Sequence, residues 1–394
     1  MAPMAERTWD QADGEAFRTW LLGPAASLWL ERGVDRTAGG YFDQLTFDSA
    51  KNSSDFKRLR VCARQIFVFS QLAEAGVTGA REAVLHGLDF LFGRLRHPDG
   101  GFIRSTTLTG APLDTTRDLY DHAFVIFALA AADRLTGDGG MLTEACAVLD
   151  LIEDRMAHPA GGYAEGLPPQ QPRRQNPHMH LLEACLAWLT RVDNSHFSRV
   201  AHELIGLFAR KFLDKSSFML FEFFEDDLSL HHDADTRVFE PGHHFEWVWL
   251  LGKARRSGLD VSGAGLEVAR ALAATAQAFG FAQETGLPFG TVRADGSVAD
   301  GTCRIWVVTE WLRACLDEPA SGCGSAKHAF AQLRRFTDVP VKGLWHERCD
   351  ARSGQFSNES VPASSLYHIV SALAPVIGTE TSCAGNKVAG ACLM

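Results

Sequence analysis

Leu119-Tyr120-Asp121-His122-Ala123-Phe124-Val125-Ile126-Phe127-Ala128-Leu129-Ala130-Ala131-Ala132-Asp133-Arg134-Leu135 is apolar on almost every face of a helical wheel. A helix with no wet side must be enclosed by other protein. The stretch before it, 81–96, behaves differently. Val84, Leu85, Leu88, Leu91, Phe92 and Leu95 form one stripe, and Arg81, Glu82, Asp89 and Arg96 lie off it, so that helix has a single buried face. The alternation continues in both directions. Enclosed patterns fall near 61–75, 119–135, 178–190, 244–254, 303–316 and 364–376, and one-faced patterns near 12–32, 81–96, 141–157, 196–213, 264–281 and 323–337.

Six extended, turn-rich segments separate these pairs. Gly39-Gly40 precedes Tyr41-Phe42, Gly100-Gly101 precedes Phe102-Ile103, and Gly161-Gly162 precedes Tyr163, at steps of 61 residues. Weaker versions follow at Phe218–Leu230, Gly286–Val298 and Gly343–Phe356, while Gly139-Gly140 is out of register and marks an interhelical turn. Self-similarity of this kind identifies a repeat architecture. Six enclosed helices alternating with six one-faced helices predict an all-α fold, an (α/α)6 barrel whose inner ring is wrapped by an outer ring. Short β-hairpin or loop excursions should collect at one mouth. An open solenoid of helix pairs is the structural rival. No Pro-, Gly- and Ser-rich linker divides the chain, which predicts one domain over residues 1–394, with a disordered tail at 378–394.

Composition sets outer limits. The chain has 394 residues, 46% of them hydrophobic and 22% charged, with a net charge of -10. That balance is globular, and its sign disfavours nucleic acid or an anionic membrane as partner. No apolar run reaches the ~18 residues of a membrane span, and Met1 to Asp10 carries no secretory pattern. Nine cysteines without a Cys-x-x-Cys pair read as reduced thiols. A cytoplasmic enzyme, monomer or homodimer, is the expectation.

Polar residues near the starts of the enclosed helices are conspicuous, because an unpaired polar group buried there costs ~1–3 kcal/mol. Arg64, His122, His180, His243, Trp306 and His368 recur at steps of 58, 58, 63, 63 and 62 residues. In a closed barrel such ends face one mouth, which gathers Arg64, Tyr120, Asn176, His180, His243, Arg304, Trp306 and His368 around a pocket for a small molecule. Spacing adds that Asn176 and Glu183 can share a face with His180, and that Glu246 can sit beside His243 and fix its tautomer. Glu183 and Glu310 lie deeper. Metal is not expected: residues two apart on a helix, such as His178 and His180, point about 200° apart, and the adjacent pairs His231-His232 and His243-His244 should diverge too. No phosphate-binding loop, dinucleotide fingerprint or nucleophile elbow is present, so no cofactor is expected.

Five motifs then carry a resemblance. Ala63-Arg64-Gln65-Ile66-Phe67, Arg174-Gln175-Asn176-Pro177-His178-Met179-His180, Pro241-Gly242-His243-His244-Phe245-Glu246-Trp247, Arg304-Ile305-Trp306 and Leu366-Tyr367-His368 resemble the N-acylglucosamine 2-epimerase superfamily over about residues 10–376. That group includes cellobiose 2-epimerases, mannose isomerases, sulfoquinovose isomerases and some phosphomannose isomerases. The resemblance implies an (α/α)6 barrel, a sugar substrate, His243 and His368 as the acid/base pair, and His180 and Arg64 as substrate-holding residues. Asn176, Glu246 and Trp306 would line the site. Upstream of Pro241 the chain departs from the mannose and sulfoquinovose isomerases: residues 233–240 stand in place of a longer loop that bears a substrate-binding arginine, for which Arg237 is a candidate and no more.

The implied chemistry is removal of a proton beside a carbonyl, with charge developing on O1 and O2 of a cis-enediolate. Histidine, with an ordinary pKa of ~6.5, suits such transfers near neutral pH. The Tyr367-His368-Ile369-Val370 context is closer to the isomerases, so mannose to fructose is the expected reaction. The alternatives are 2-epimerisation of N-acylglucosamine or another free sugar, and isomerisation of mannose 6-phosphate, with Arg173, Arg174 and Arg237 placed to reach the phosphate. A glycoside hydrolase on the same toroid would need two flanking carboxylates, for which Glu246 and Asp121 are the candidates.

Overall fold

The computed structural model of the chain describes residues 11–137 and 139–379 and, beyond them, the short strand Val388–Ala389. Among these residues twelve helices of ten residues or more follow in chain order. They are α1 (Gln11–Trp20, prolonged by the turns Leu21–Ala25, Ala26–Leu28 and Trp29–Gly33), α2 (Leu59–Glu74), α3 (Ala80–Arg94), α4 (Leu119–Thr136), α5 (Gly140–Met156) and α6 (Gln175–Leu189). The second half supplies α7 (Ser195–Leu207, prolonged by Phe208–Phe212), α8 (Pro241–Arg256), α9 (Leu266–Phe279), α10 (Ile305–Asp317), α11 (Ala326–Thr337) and α12 (Ser364–Ile377). The even-numbered helices form the inner ring. In α4 every residue from Asp121 to Asp133 is buried, as its all-round apolar pattern requires.

The ring is closed. Each inner helix packs on the next, and α12 packs back on α2. Gln65 Nε2 donates to the Ala363 carbonyl at 2.8 Å across that junction. The strands close in the same sense. The segment leading into each inner helix pairs antiparallel with the excursion of the following repeat: Phe56–Arg58 with Ser105–Thr107, Arg117–Asp118 with Gly166–Leu167, and Arg173–Arg174 with Phe223–Phe224. Val238–Phe239 pairs with Thr291–Arg293, Thr302–Arg304 with Arg348–Asp350, and Val361–Pro362 returns to Gln44–Leu45. An open solenoid leaves two unpaired ends; here the sixth repeat completes the first.

The double-glycine turns have a steric cause. Both glycines of Gly100-Gly101 and of Gly161-Gly162 have positive φ, a conformation that favours glycine. A Cβ on Gly101 or Gly162 would lie 2.6 Å from Nε2 of His122 or His178 respectively. Those rings fasten each hairpin to its inner helix. Phe102 N–H donates to His122 Nε2 at 3.0 Å, and the ring's Nδ1–H donates to the Asp118 carbonyl at 2.7 Å. Tyr163 N–H, His178 and the Arg174 carbonyl repeat the device at 2.9 and 3.0 Å, and Leu220 N–H, His244 and the Glu240 carbonyl at 3.3 and 3.3 Å. His122 therefore faces the outer hairpin and does not share the level of Arg64 and His180.

Cys62, Cys185, Cys303, Cys315, Cys323 and Cys349 are buried free thiols, as expected, whereas Cys146 is disulfide-bonded and departs from that expectation. Gly378 ends α12. The expected disordered tail falls mainly on 380–387 and 390–394, which lie outside the described residues, while Val388–Ala389 pairs with Val192–Asp193. Among the described residues no helix is long and apolar enough to cross a membrane.

Candidate active site

Five inner helices are entered through Arg58, Asp118, Arg174, Glu240 and Arg304, whose extended backbones start α2, α4, α6, α8 and α10. The ends where these helices begin surround one mouth, and the positive poles of their dipoles converge there. Counting from these entries, the second residue of each helix is Arg60, Tyr120, Asn176, Gly242 or Trp306, and Ser364 is the counterpart on α12. Four residues on, one helical turn below, stand Arg64, Phe124, His180, Glu246 and Glu310, with His368 completing the tier. The two tiers surround a cavity of about 280 Å³. Arg64, Tyr120, Asn176, His180, His243, Glu246, Arg304, Trp306 and His368 line it together with Arg58, Arg60, Glu240, Ser364 and Ser365. Of the predicted site residues only Glu183 stands behind the wall. The even steps in sequence had set His243 and Trp306 level with Arg64; the structure raises Trp306 one turn and puts Glu246 and Glu310 in that tier.

Three imidazoles share one construction. His180 Nδ1 is bound to Glu183 Oε2 at 3.1 Å, His243 Nδ1 to Glu222 Oε1 at 2.8 Å, and His368 Nδ1 to Glu310 Oε1 at 2.7 Å. Each Nδ1–H is thus held by a carboxylate, and Nε2 has no protein partner among the described residues. The carboxylate of His243 is not Glu246, as spacing suggested, but Glu222, from the excursion before α8. Glu246 lies 3.6 Å from His180 Nδ1, and both of its buried oxygens lack a hydrogen-bond partner, as does Asn176 Oδ1. Such orphaned acceptors are costly unless a ligand satisfies them.

Charge divides the imidazoles. Burial opposes protonation of His243, but Glu222 and Glu240 outweigh it and push its pKa up to about 10. For His368 burial dominates, reinforced by the Arg64 cation, and its pKa falls well below the ordinary value. Burial likewise lowers His180, although Glu183 pulls the other way. Near neutral pH His243 is an imidazolium and His368 a free base. Trp306 lies between them, its ring 5.1 Å from that of His243 and 5.7 Å from that of His368. Burial, with Glu310 and Glu183 nearby, raises Glu246 well above the usual carboxylate range, so it carries a proton.

Arg64 is fixed by bonds to the Tyr120 hydroxyl at 2.7 Å and the Ser364 carbonyl at 3.3 Å. Arg304 is held by Glu347, with 2.9 Å the shorter contact. The arginines expected to reach a phosphate do not line the cavity. Arg173 is 1% exposed and donates to the Gly161 carbonyl at 2.7 Å, Arg174 Nε to Glu165 at 2.7 Å, and Arg237 Nε to the His231 carbonyl at 2.9 Å. Asp121 is fully buried and outside the cavity lining, so it does not supply the second carboxylate a glycoside hydrolase needs there. Among the described residues four groups bring ligand-type atoms within 4.8 Å of one another: Glu225 with His231 and His232, Asp150 with Glu153 and His196, and two at the cavity, His180 with Glu183 and Glu246, and His243 with Glu222 and Glu240. In the latter two, the imidazole turns Nδ1 to the carboxylates and is already hydrogen-bonded to one of them. The His231 and His232 rings stack at 4.5 Å instead of diverging as expected.

Sequence reasoning missed Glu222, Glu240, Gln175 and Tyr367. Gln175 Nε2 donates to Glu222 at 2.9 Å, and Tyr367 OH donates to Glu183 at 2.5 Å. Glu222 had a visible signal, a lone acid among Phe221, Phe223 and Phe224.

The profile of the N-acylglucosamine 2-epimerase (GlcNAc 2-epimerase) family matches residues 40–372. Mannose-6-phosphate isomerase of Rhizobium meliloti (strain 1021) is 34% identical over 368 residues, covering 90% of this chain and 94% of that one. D-mannose isomerase of Thermobifida fusca is 28% identical over 297 residues, 70% of this chain and 73% of the other. A crystal structure of D-mannose isomerase superposes with a TM-score of 0.81 at 23% identity, covering 94% of this chain and 100% of that chain. The chain belongs to the N-acylglucosamine 2-epimerase family and is a carbohydrate isomerase or epimerase of that family.

Proposed function

We propose that the protein converts mannose 6-phosphate to fructose 6-phosphate through a cis-enediolate. The observation that carries the reaction is the split protonation of His243 and His368 on either side of Trp306, since environments that push two such pKa values apart assign an acid and a base. The likeness to a mannose-6-phosphate isomerase over nearly the whole chain favours the phosphorylated sugar over free mannose. His243, as imidazolium, protonates the ring oxygen while water takes the anomeric hydroxyl's proton and returns it to His243, and the pyranose opens. His368 Nε2 then takes the proton from C2. The electron pair moves into a C1–C2 double bond, with negative charge on O1 that Arg64 and the converging helix ends stabilise. Return of that proton to C1, with transfer of the O2 proton to O1, gives the ketose with all atoms retained. Protonated Glu246 and the Asn176 side chain hold hydroxyl groups, and Trp306 stacks on the sugar.

Product analysis by NMR with mannose 6-phosphate, mannose, N-acetylglucosamine and cellobiose tests the reading. The expected result is fructose 6-phosphate, with kcat/KM for mannose 6-phosphate at least about tenfold above that for mannose, about 1.4 kcal/mol in transition-state stabilisation. Equal or better turnover of mannose returns the substrate to the free sugar. A C2 epimer as the main product overturns the isomerase reading.

A further inference from the structure

We propose that the terminal guanidinium nitrogens of Arg58 and Arg60, with the Ser364 hydroxyl, form the subsite that receives the substrate's phosphate group. This rests on the phosphosugar reading above and names the residues that would impose it.

The cavity is polarised. Arg58, Arg60 and Arg64 come from the start of α2, whereas Glu240 and Glu246 come from α8, three places round the ring and therefore opposite. A dianion is drawn to the three guanidinium groups of the first wall, whereas on the second the Glu246 carboxyl is protonated and Glu240 faces the His243 imidazolium. On the cationic wall the arginines are not equivalent. Arg64 is 5% exposed and its terminal nitrogens are committed to Tyr120 and Ser364. Arg58 and Arg60 sit at the lip, with side chains 35% and 28% exposed. Each contacts an acid through Nε, Arg58 with Asp43 and Arg60 with Asp121 at 2.9 Å. Their terminal nitrogens have no hydrogen-bond partner among the described residues, although the guanidinium groups lie 5.7 Å over the Phe56 ring and 5.2 Å over the Tyr120 ring.

The acids behind them are 1% and 0% exposed; Asp43 accepts a hydrogen bond from Arg58 Nε, while Asp121 holds Arg60 by charge alone. A fork steadied at Nε presents two parallel donors, the geometry that matches phosphate oxygens. Ser364 lies on the neighbouring helix, where its carbonyl already ties α12 to Arg64. Ser364 lines the same cavity, and its hydroxyl is the uncharged donor of the proposed subsite.

The experiment compares wild type with Arg58→Gln, Arg60→Gln and the double variant, taking kcat/KM on mannose 6-phosphate and on mannose. The expected outcome is a fall of about 10–100-fold in the preference for the phosphorylated sugar in each single variant, the range for a lost hydrogen bond to a charged group. Arg64→Lys should lower both sugars together and leave the preference unchanged. Arg60→Lys keeps the charge but not the fork, should fall between, and carries the test if Arg60→Gln does not fold. Preference unchanged in Arg58→Gln and Arg60→Gln, or equal losses on both sugars, overturns the subsite. Failure of the substrate reading looks different: wild type then shows no preference for mannose 6-phosphate. Inorganic phosphate still interrogates the arginines in that case, through its Kd in wild type and the double variant; equal values overturn the subsite independently.

Discussion

His180, His243 and His368 each spend Nδ1 on a carboxylate, yet only His243 is charged, because it alone has Glu240 beside the cavity as well as Glu222 behind it. A group that works as an acid loses activity as pH rises through its pKa. Replacing Glu222 by Gln removes the first of the two charges raising His243, so the alkaline limb of kcat against pH should move down by about 1–3 pH units. Activity near pH 6 should be spared, and an unmoved limb would mean that His243 is not the acid. Gly242 bears on binding, since a Cβ there would lie 2.4 Å from the Trp306 ring. Gly242→Ala should displace that ring and raise KM several-fold with a smaller effect on kcat, the pattern of lost uniform binding in a steady-state assay. The lining side chains were legible because histidine, tryptophan and arginine stand out on apolar helices. Glu222 stood out as an acid among phenylalanines, but its pairing with His243 was not legible, since that partner is 21 residues away on another element. Arg58 and Arg60 were not either, since positive residues opening a helix suggest solvent until the mouth around them is seen.

At the scale of single elements the repeated device is the histidine that joins hairpin to inner helix. Burial drives the pKa of His122, His178 and His244 down to about 4, 3 and 4. Below its ordinary pKa of ~6.5 each binds a proton more readily in the unfolded chain than in the folded one. These three therefore subtract stability as pH falls from about 6.5 toward 4. His178→Gln should cost about 1–3 kcal/mol at pH 7 if the Tyr163 N–H loses its acceptor. It should also flatten the fall of Tm between pH 6.5 and 4 relative to wild type; parallel curves by calorimetry would show that His178 is not held neutral. Periodicity located these helices to within a few residues, because enclosure leaves a pattern every turn. Their mutual register was misread, since His122 looks like His180 in sequence but sits two residues earlier in its helix, facing outward. That difference of about 200° is invisible until the helix starts are known.

The whole molecule is a ring in which every repeat completes its neighbour, and that has a temporal side. Six repeats and closure were readable from the count of enclosed helices and hairpins. The pairing of each lead-in strand with the next repeat was not, because strands of two or three residues leave almost no periodic trace. On a ribosome the chain emerges from its N-terminal end, so five of the six junctions can form in order as synthesis proceeds. The sixth cannot. The Gln44–Leu45 edge and the flank of α2 await Val361–Pro362 and α12, and the contact from Arg64 reaches Ser364, 300 residues further on. Until then the nascent protein carries an open strand edge and an apolar helix flank, the surfaces that invite mispairing. His368, the proposed base, arrives with that final helix, so an unfinished chain has the acid but not the base and the cavity is complete only when the ring is.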